Sequence, residues 1–392
     1  AIDEARFFEG PRLFNVMQVL MALEEFYMEN EGRMRRDEMR AIEPSLISEI
    51  IERVSELSLQ TALGLLLYYG EYVLERRGRQ GEERIFSYVN RVGEFLRNFF
   101  SAEGTQYFHF LHCDGSGTVG LEYKNLDGRE ITNLLLTSAQ SSILMSGTLT
   151  PLHVYRDLVI KNNFDKFHLR EFDSPFPQEN RLITVAGDVS SRESERTEQT
   201  YKRWGEYLER VLDANNGNTA VFSTSYQMME RLIPLVKTDR NVITEGRETT
   251  INDVSDILKG GMNNVLFGVM GGKFSEGVDY PGEMLTCVVC VGFPYAKWDD
   301  YQQALVSYME NAFPGNGRLY GYLAPAVLRL IQTCGRVHRS ESDRGCIIIL
   351  DKRVKFPYIK NHLPKYFQRE MKVVSSPREC EYLIRSFWRR NV

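Results

Sequence analysis

Apolar positions along the chain change their spacing twice. To about Phe100 they recur at helical intervals: Leu13, Val16, Met17, Leu20, Leu23 and Phe26 in one stretch, and Ile47, Ile50, Ile51, Val54 and Leu57 in another. Two polar stretches, residues 29–36 and 75–84, interrupt this front part; both are basic and contain glycine. Each reads first as a solvated turn between helices and second as a nucleic-acid contact. Around residues 106–123 the spacing falls to two. Segments 106–113 and 118–123 flank Asp114-Gly-Ser-Gly117, the pattern of a β-hairpin. A helix over 131–140 and a short buried strand over 141–145, ending in Ser146-Gly-Thr148, are predicted next.

Beyond this point strand and helix alternate. Apolar runs at 181–185, 219–222, 265–269, 286–291 and 346–350 are separated by helical patterns at 198–212, 226–236, 253–258, 300–311 and 324–333. Strands apolar along their whole length are buried on both faces, as in a parallel sheet covered by helices. Residues from about 180 to 392 therefore predict one doubly wound α/β domain.

Composition adds limits. The chain has 392 residues, enough for two or three domains, with 43% hydrophobic and 26% charged residues and a net charge of -5. A nucleic-acid role would need local basic surface, because the whole chain shows none. No apolar run approaches the ~20 residues of a membrane span. The opening AIDEARFFEG has neither the pattern of a signal peptide nor an initiator Met, so it reads as other than a natural start. Six scattered cysteines do not form a disulfide framework and suggest a reducing cytosol.

Ligands of a doubly wound sheet collect outside the carboxyl ends of its strands. There the run ending at Phe222 leads into Ser223-Thr-Ser-Tyr226, and the run ending at Met270 leads into Gly271-Gly-Lys-Phe-Ser-Glu-Gly-Val-Asp279. The second segment suits close approach of backbone to a ligand, or a simple glycine-rich turn. Arg336 and Arg339 in Gln332-Thr-Cys-Gly-Arg336-Val-His-Arg339 share a face if the preceding helix persists through them. They then chelate a phosphate or complement a helix dipole. Gly272-Lys273 is not a phosphate loop, since Phe274 stands where Ser or Thr is needed, and no such loop occurs in the chain. Asp3-Glu-Ala-Arg6 reads as a helix start. Cys287 and Cys290 read as core thiols on opposite strand faces. His109, His112 and Cys113 on the hairpin are a weak metal pattern.

Taken in order, these segments resemble the XPD-type superfamily 2 DNA helicases. Ser141-Ser-Ile-Leu-Met-Ser-Gly-Thr-Leu-Thr-Pro-Leu152 is similar to their motif III, Val221–Tyr226 to motif IV, Gly271–Tyr280 to motif V and Gln332–Arg339 to motif VI. The resemblance covers about residues 60 to 392 and extends to the related DinG-like helicases. It implies a RecA-like doubly wound parallel sheet domain with a helical Arch-type domain at the front. Residues 1–104 would be part of the Arch domain, 105–178 the hairpin and last strands of motor domain 1 with a linker, and 179–392 motor domain 2. The implied activity is ATP-driven 5′-to-3′ movement along single-stranded DNA, in nucleotide excision repair for XPD members.

Residue roles follow from the same resemblance. Arg336 and Arg339 would be arginine fingers and Gln332 a nucleotide sensor. Glu276, Gly277 and Asp279 would bind nucleotide and link it to the DNA track. Ser146 and Thr148 would couple the motor domains, while Ser225, Tyr226 and Lys273 would touch or couple to DNA. The family's phosphate loop, DEAH box and four 4Fe–4S cysteines belong upstream, so ATP with Mg²⁺ would be half-held here and no cluster is expected in this chain. The implied partners are single-stranded DNA, a missing N-terminal helicase half and repair proteins, with no membrane. The implied place is the cytoplasm at DNA, or the nucleus in a eukaryote. A non-catalytic DNA-binding or scaffold module, and a different α/β enzyme such as a nucleotide transferase, are the competing readings.

Overall fold

Helical spacing at the front becomes helices at Ile2–Phe8, Leu13–Asn30, Pro44–Ser55, Leu59–Arg79 and Tyr88–Ser101. The computed structural model describes residues 1–82, 85–161 and 167–390. Glu83 and Arg84, the end of the polar stretch 75–84, therefore lie outside the described residues, as do residues 162–166 of the expected linker and the last two residues. The start of that stretch is helical instead of a turn. Its helix runs to Arg79 because Arg77 turns inward, pairing with buried Glu4 at 3.2 Å and with Glu82 at 2.6 Å.

The chain divides into two compact units. The first comprises residues 1–128 and 297–317. Its helices bury Val16, Leu20, Phe26, Ile47, Leu66 and Tyr69 together. Beside them lies a sheet of β1 (Glu38–Ala41), β2 (Tyr107–Cys113) and β3 (Val119–Asn125), paired antiparallel in that order. Asp114 Oδ1 accepts the backbone N–H groups of Ser116 and Thr118 and closes the expected hairpin. The boundary at 104/105 does not hold, however. Leu111, Cys113 and Leu121 sink into the helical core, and β2 pairs with β1, so the hairpin belongs to the front unit. The helix Asp300–Ala312 also belongs there and not to the large sheet: Asp300 accepts the Ala41 N–H at 2.9 Å, and Tyr301 packs edge-on against Phe110.

The second unit comprises residues 129–296 and 318–392. Among the described residues it holds a seven-stranded parallel sheet. Its strands are β4 (Arg181–Ala186), β5 (Thr219–Ser223), β6 (Asn241–Thr244), β7 (Asn264–Val269), β8 (Cys287–Val291), β9 (Gly345–Leu350) and β10 (Lys372–Val374). Their order is β10-β4-β9-β8-β5-β7-β6. Apolar residues on both faces of the inner strands feed two cores. Val221, Val289 and Ile348 meet Trp204, Leu208 and Ile384 on one side, while Ala220, Val288 and Ile347 meet Val327, Leu330 and Phe274 on the other. Cys287 and Cys290 face opposite cores, as alternation along a strand requires.

The expected buried strand at 141–145 is absent. The helix Arg129–Ser138 forms, but the segment after it is irregular, with Ile143 87% and Met145 88% exposed. Among the described residues no strand flanks it, so its backbone lacks the ladder that would make an apolar run a strand.

Candidate functional site

The carboxyl ends of β5, β6 and β7 bring together residues far apart in sequence. Ser225 caps the helix Tyr226–Leu232, its hydroxyl accepting the Met228 N–H at 3.2 Å. Tyr226, half exposed, donates its hydroxyl proton to Glu245 at 3.0 Å. Burial and then this carboxylate push the Tyr226 phenol above its ordinary pKa. Lys273 gives its backbone N–H to the same Glu245 oxygen at 3.1 Å, and its ammonium goes to the carbonyls of Gly246 and Thr249.

A parallel sheet obliges the chain to recross from the carboxyl end of β7 to the amino end of β8. Residues 271–286 make that crossing. Phe274, Val278 and Tyr280 are buried in the same core as the helix Ala324–Cys334, and the Tyr280 hydroxyl donates to the Phe274 carbonyl at 2.9 Å. Gly277 has φ +74, the left-handed backbone that glycine adopts without strain.

At the far end of the crossing stand the two arginines. Their helix ends at Cys334, so they do not share a helix face. They converge on a carbonyl instead. Arg336 Nη1 donates to the Val278 oxygen at 2.5 Å and Arg339 Nη2 reaches it at 3.5 Å. Arg339 Nε pairs with exposed Asp279 at 2.7 Å, and Arg336 Nε donates to the Gln332 carbonyl at 3.2 Å. Burial, and next the charge of Arg339, pull the Arg336 pKa below that of a free guanidinium. Two cations held this close favour an anion between them.

This pair lies between the end of a helix and the start of β9, hence at the amino edge of the sheet and not the carboxyl edge. His338 confirms the placement, donating from Nε2 to the carbonyl of Asn180, one residue before β4. The candidate residues thus form two clusters: Tyr226 and Lys273 with Ser225 beside them at one edge, and Arg336, Arg339 and Asp279 with Gln332 and Glu276 at the other. Ser146 and Thr148 join neither through any described contact; their hydroxyls bond to each other at 3.1 Å in an exposed segment. Sequence reasoning missed Glu245. Its only signal is a carboxylate just after a strand too polar to recognise.

His338 supplies a pH test. Burial, its largest influence, lowers its pKa below the ordinary histidine value, and Arg181 adds to this. The unfolded chain therefore takes up the proton first as pH falls. Stability is full above the ordinary histidine pKa and declines as pH drops through it towards the folded value. His362, lowered by burial and His153, acts in the same direction. Thermal melts at about pH 7.5 and about pH 5.5 should show an acid loss that His338→Gln reduces; an undiminished loss would refute the assignment.

Among the described residues no three His, Cys, Asp or Glu side chains converge as metal ligands. On the hairpin, His109 bonds to the Phe99 carbonyl and His112 to Glu122. All six cysteines are free and buried, Cys113 in the front unit and the others in the second unit. A four-cysteine iron–sulfur cluster does not fit these residues.

Known families match in the same order. Residues 1–195 match the helical and beta-bridge domain family, and residues 208–370 match the helicase C-terminal domain family, a span holding both edge clusters. Together the two matches mark an XPD-type helicase region. The ATP-dependent DNA helicase XPD of Sulfolobus acidocaldarius is 28% identical over 293 residues, covering 73% of this chain and 52% of the relative. The ATP-dependent DNA helicase DinG of Photobacterium profundum is 29% identical over 256 residues, covering 62% of this chain and 36% of the relative. The chain thus spans about half the length, or less, of these curated relatives. The solved structure of S. tokodaii Xpd4 superimposes with a TM-score of 0.65 at 16% identity, over 96% of this chain and 70% of that one. A solved XPD helicase gives 0.59 at 21% identity, over 92% and 64%. The fold is accordingly RecA-like α/β with a helical domain.

Proposed function

We propose that this chain is the C-terminal part of an ATP-dependent 5′-to-3′ DNA helicase of the XPD type, acting at single-stranded/duplex junctions in nucleotide excision repair. The arginine pair on the Val278 carbonyl carries the reading. It presents two guanidinium groups, one half-buried and one exposed, suited to the charge of a transferring phosphoryl group. Arg336 and Arg339 would act as fingers, with Gln332, Glu276, Gly277 and Asp279 around the nucleotide. Tyr226, Ser225 and Lys273 would face DNA. ATP with Mg²⁺ would be gripped mainly by a phosphate loop in the missing N-terminal half. An iron–sulfur cluster belongs to that half as well.

Ile131, Leu134 and Leu135 on one helix, and Ile143 and Met145 in the segment after it, are exposed; this concentration of exposed apolar side chains supports a second body packing here. In this reading Ser146 and Thr148, just after Met145, lie where motor domains would couple. Among the described residues no helix is long and apolar enough to cross a membrane. The identity to DinG supports a second reading, a DinG-like helicase with the same division of the ATP site.

Activity of the chain by itself is the test. Alone it should hydrolyse no ATP above background, yet bind single-stranded DNA with an affinity that falls as salt rises. Robust turnover by the chain alone would sink the half-site reading. Absence of DNA binding would sink the helicase reading.

A further inference from the structure

Glu245 follows β6 at the sheet edge and is only 3% exposed. Burying a carboxylate is costly unless hydrogen bonds replace water. Three do. Oε2 accepts the Val269 N–H at 2.9 Å, while Oε1 accepts the Lys273 N–H at 3.1 Å and the Tyr226 hydroxyl at 3.0 Å. Lys273 contributes its backbone and not its charge, since its ammonium goes to neighbouring carbonyls. The surroundings are shaped for this carboxylate. A Cβ at Gly268 would stand 2.8 Å from Oε2, and one at Gly272 would stand 2.5 Å from Oε1. Both are closer than real Cβ contacts, so the strand and the loop keep glycine where the carboxylate sits.

The bonds join two elements. One is the helix that begins at Tyr226, whose half-exposed side chain is available to DNA. The other is the crossing segment, pinned at residues 269 and 273, which ends at Val278 and Asp279 beneath the arginine pair. Between these ends the segment has little slack, because Phe274, Ser275 and Tyr280 are buried and the Ser275 hydroxyl accepts the Gly271 N–H at 2.7 Å. The bond also decides how Tyr226 can be used. Its only hydroxyl proton is committed to Glu245, so it has none to give a phosphate. What remains exposed is the ring, which suits stacking on a base or sugar.

We propose that Glu245 is a positioning residue that couples the two edges: a nucleobase stacked on Tyr226 shifts the hydroxyl–carboxylate unit, and the crossing segment carries the shift to Arg336 and Arg339. This rests on the helicase reading and specifies how its two sites communicate.

The complete helicase tests it, with Glu245→Gln, Tyr226→Phe and the double variant. Glutamine keeps one acceptor oxygen but turns an N–H donor towards backbone N–H groups. The ratio of oligo(dT)-stimulated to basal ATP turnover should fall about tenfold in Glu245→Gln, the worth of one hydrogen bond to a charged group. The double variant should fall no further, because both changes break one linkage. An unchanged ratio, or multiplying effects, overturns the proposal. A wild-type enzyme without DNA-stimulated turnover fails the helicase reading instead. Amide hydrogen exchange then tests the linkage without activity. In the folded Glu245→Gln protein, exchange should quicken both at residues 269–273 and at residues 336–339. Faster exchange confined to 269–273 overturns the coupling and leaves Glu245 a local structural group.

Discussion

Replacing Arg336 with alanine in the complete helicase is expected to lower ATP turnover by about 10³–10⁵-fold, the range known for arginine fingers. ATP affinity should change little, because the expected role lies in the transferring charge and not in the ground-state grip. The side chain is half-buried and bonded to Val278 and Gln332 carbonyls, so alanine also leaves the Val278 oxygen short of a donor. Arg336→Lys separates the two effects. Lysine keeps the charge but loses the planar fork, and turnover should stay far below wild type. A structural role alone would let lysine restore most of it. Single-turnover kinetics with labelled ATP reads both quantities; unchanged turnover in Arg336→Ala refutes the finger assignment.

The largest expected loss of stability lies at Asp351, which is wholly buried at the carboxyl end of β9. Its carboxylate accepts from Ser191 N and Oγ, each at 2.8 Å, and from the Arg353 backbone, Nε and Nη2 at 3.0, 2.9 and 2.7 Å. Burial opposes the Arg353 charge, and Asp351 more than offsets this, raising its pKa. Ser191 Oγ also accepts the Phe293 N–H at 3.0 Å, so one cluster joins the ends of β4, β9 and β8. Asp351→Ala leaves a mostly buried guanidinium without its partner and should cost about 3–5 kcal/mol. Urea denaturation measures it. Combining Asp351→Ala with Arg353→Met should restore part of the loss, because the orphaned charge is then removed as well. A single-variant loss below about 1 kcal/mol would show the pair to be solvated, as surface pairs are.

How well the fold could be read depended on where each element sits in its sheet. Inner strands β4, β5, β7, β8 and β9 are buried along their whole length and stood out as apolar runs. The three unanticipated strands, β1, β6 and β10, are all at sheet edges. One side of an edge strand meets solvent, so its composition is mixed; in β6 only Ile243 is buried, and in β10 only Val374. Residues 141–145 failed the opposite way. Their apolar run was legible, but a run becomes a strand only beside another strand.

Site residues followed a similar rule. Arg336, Arg339 and the crossing segment were legible because their residue types carry chemistry. Their arrangement was not, since it depends on a helix ending two residues before Arg336 and on a carbonyl that any residue type could supply. Glu245 was invisible for the same reason. Its meaning comes from three donors and two glycines drawn from distant parts of the chain.

Strand β4 lies between β9 and β10, both made long after it. Its register pairs Arg181 with Gly345, about 160 residues later. A ribosome adding ~5–20 residues per second needs on the order of ten to thirty seconds for that length. Throughout that interval the nascent chain carries Leu182, Ile183, Val185 and Ala186 with no ladder to enter. The order of the strands therefore sets a window in which a chaperone holdase would find its substrate, and it makes the codons for β9 and β10 decisive for whether β4 folds or aggregates.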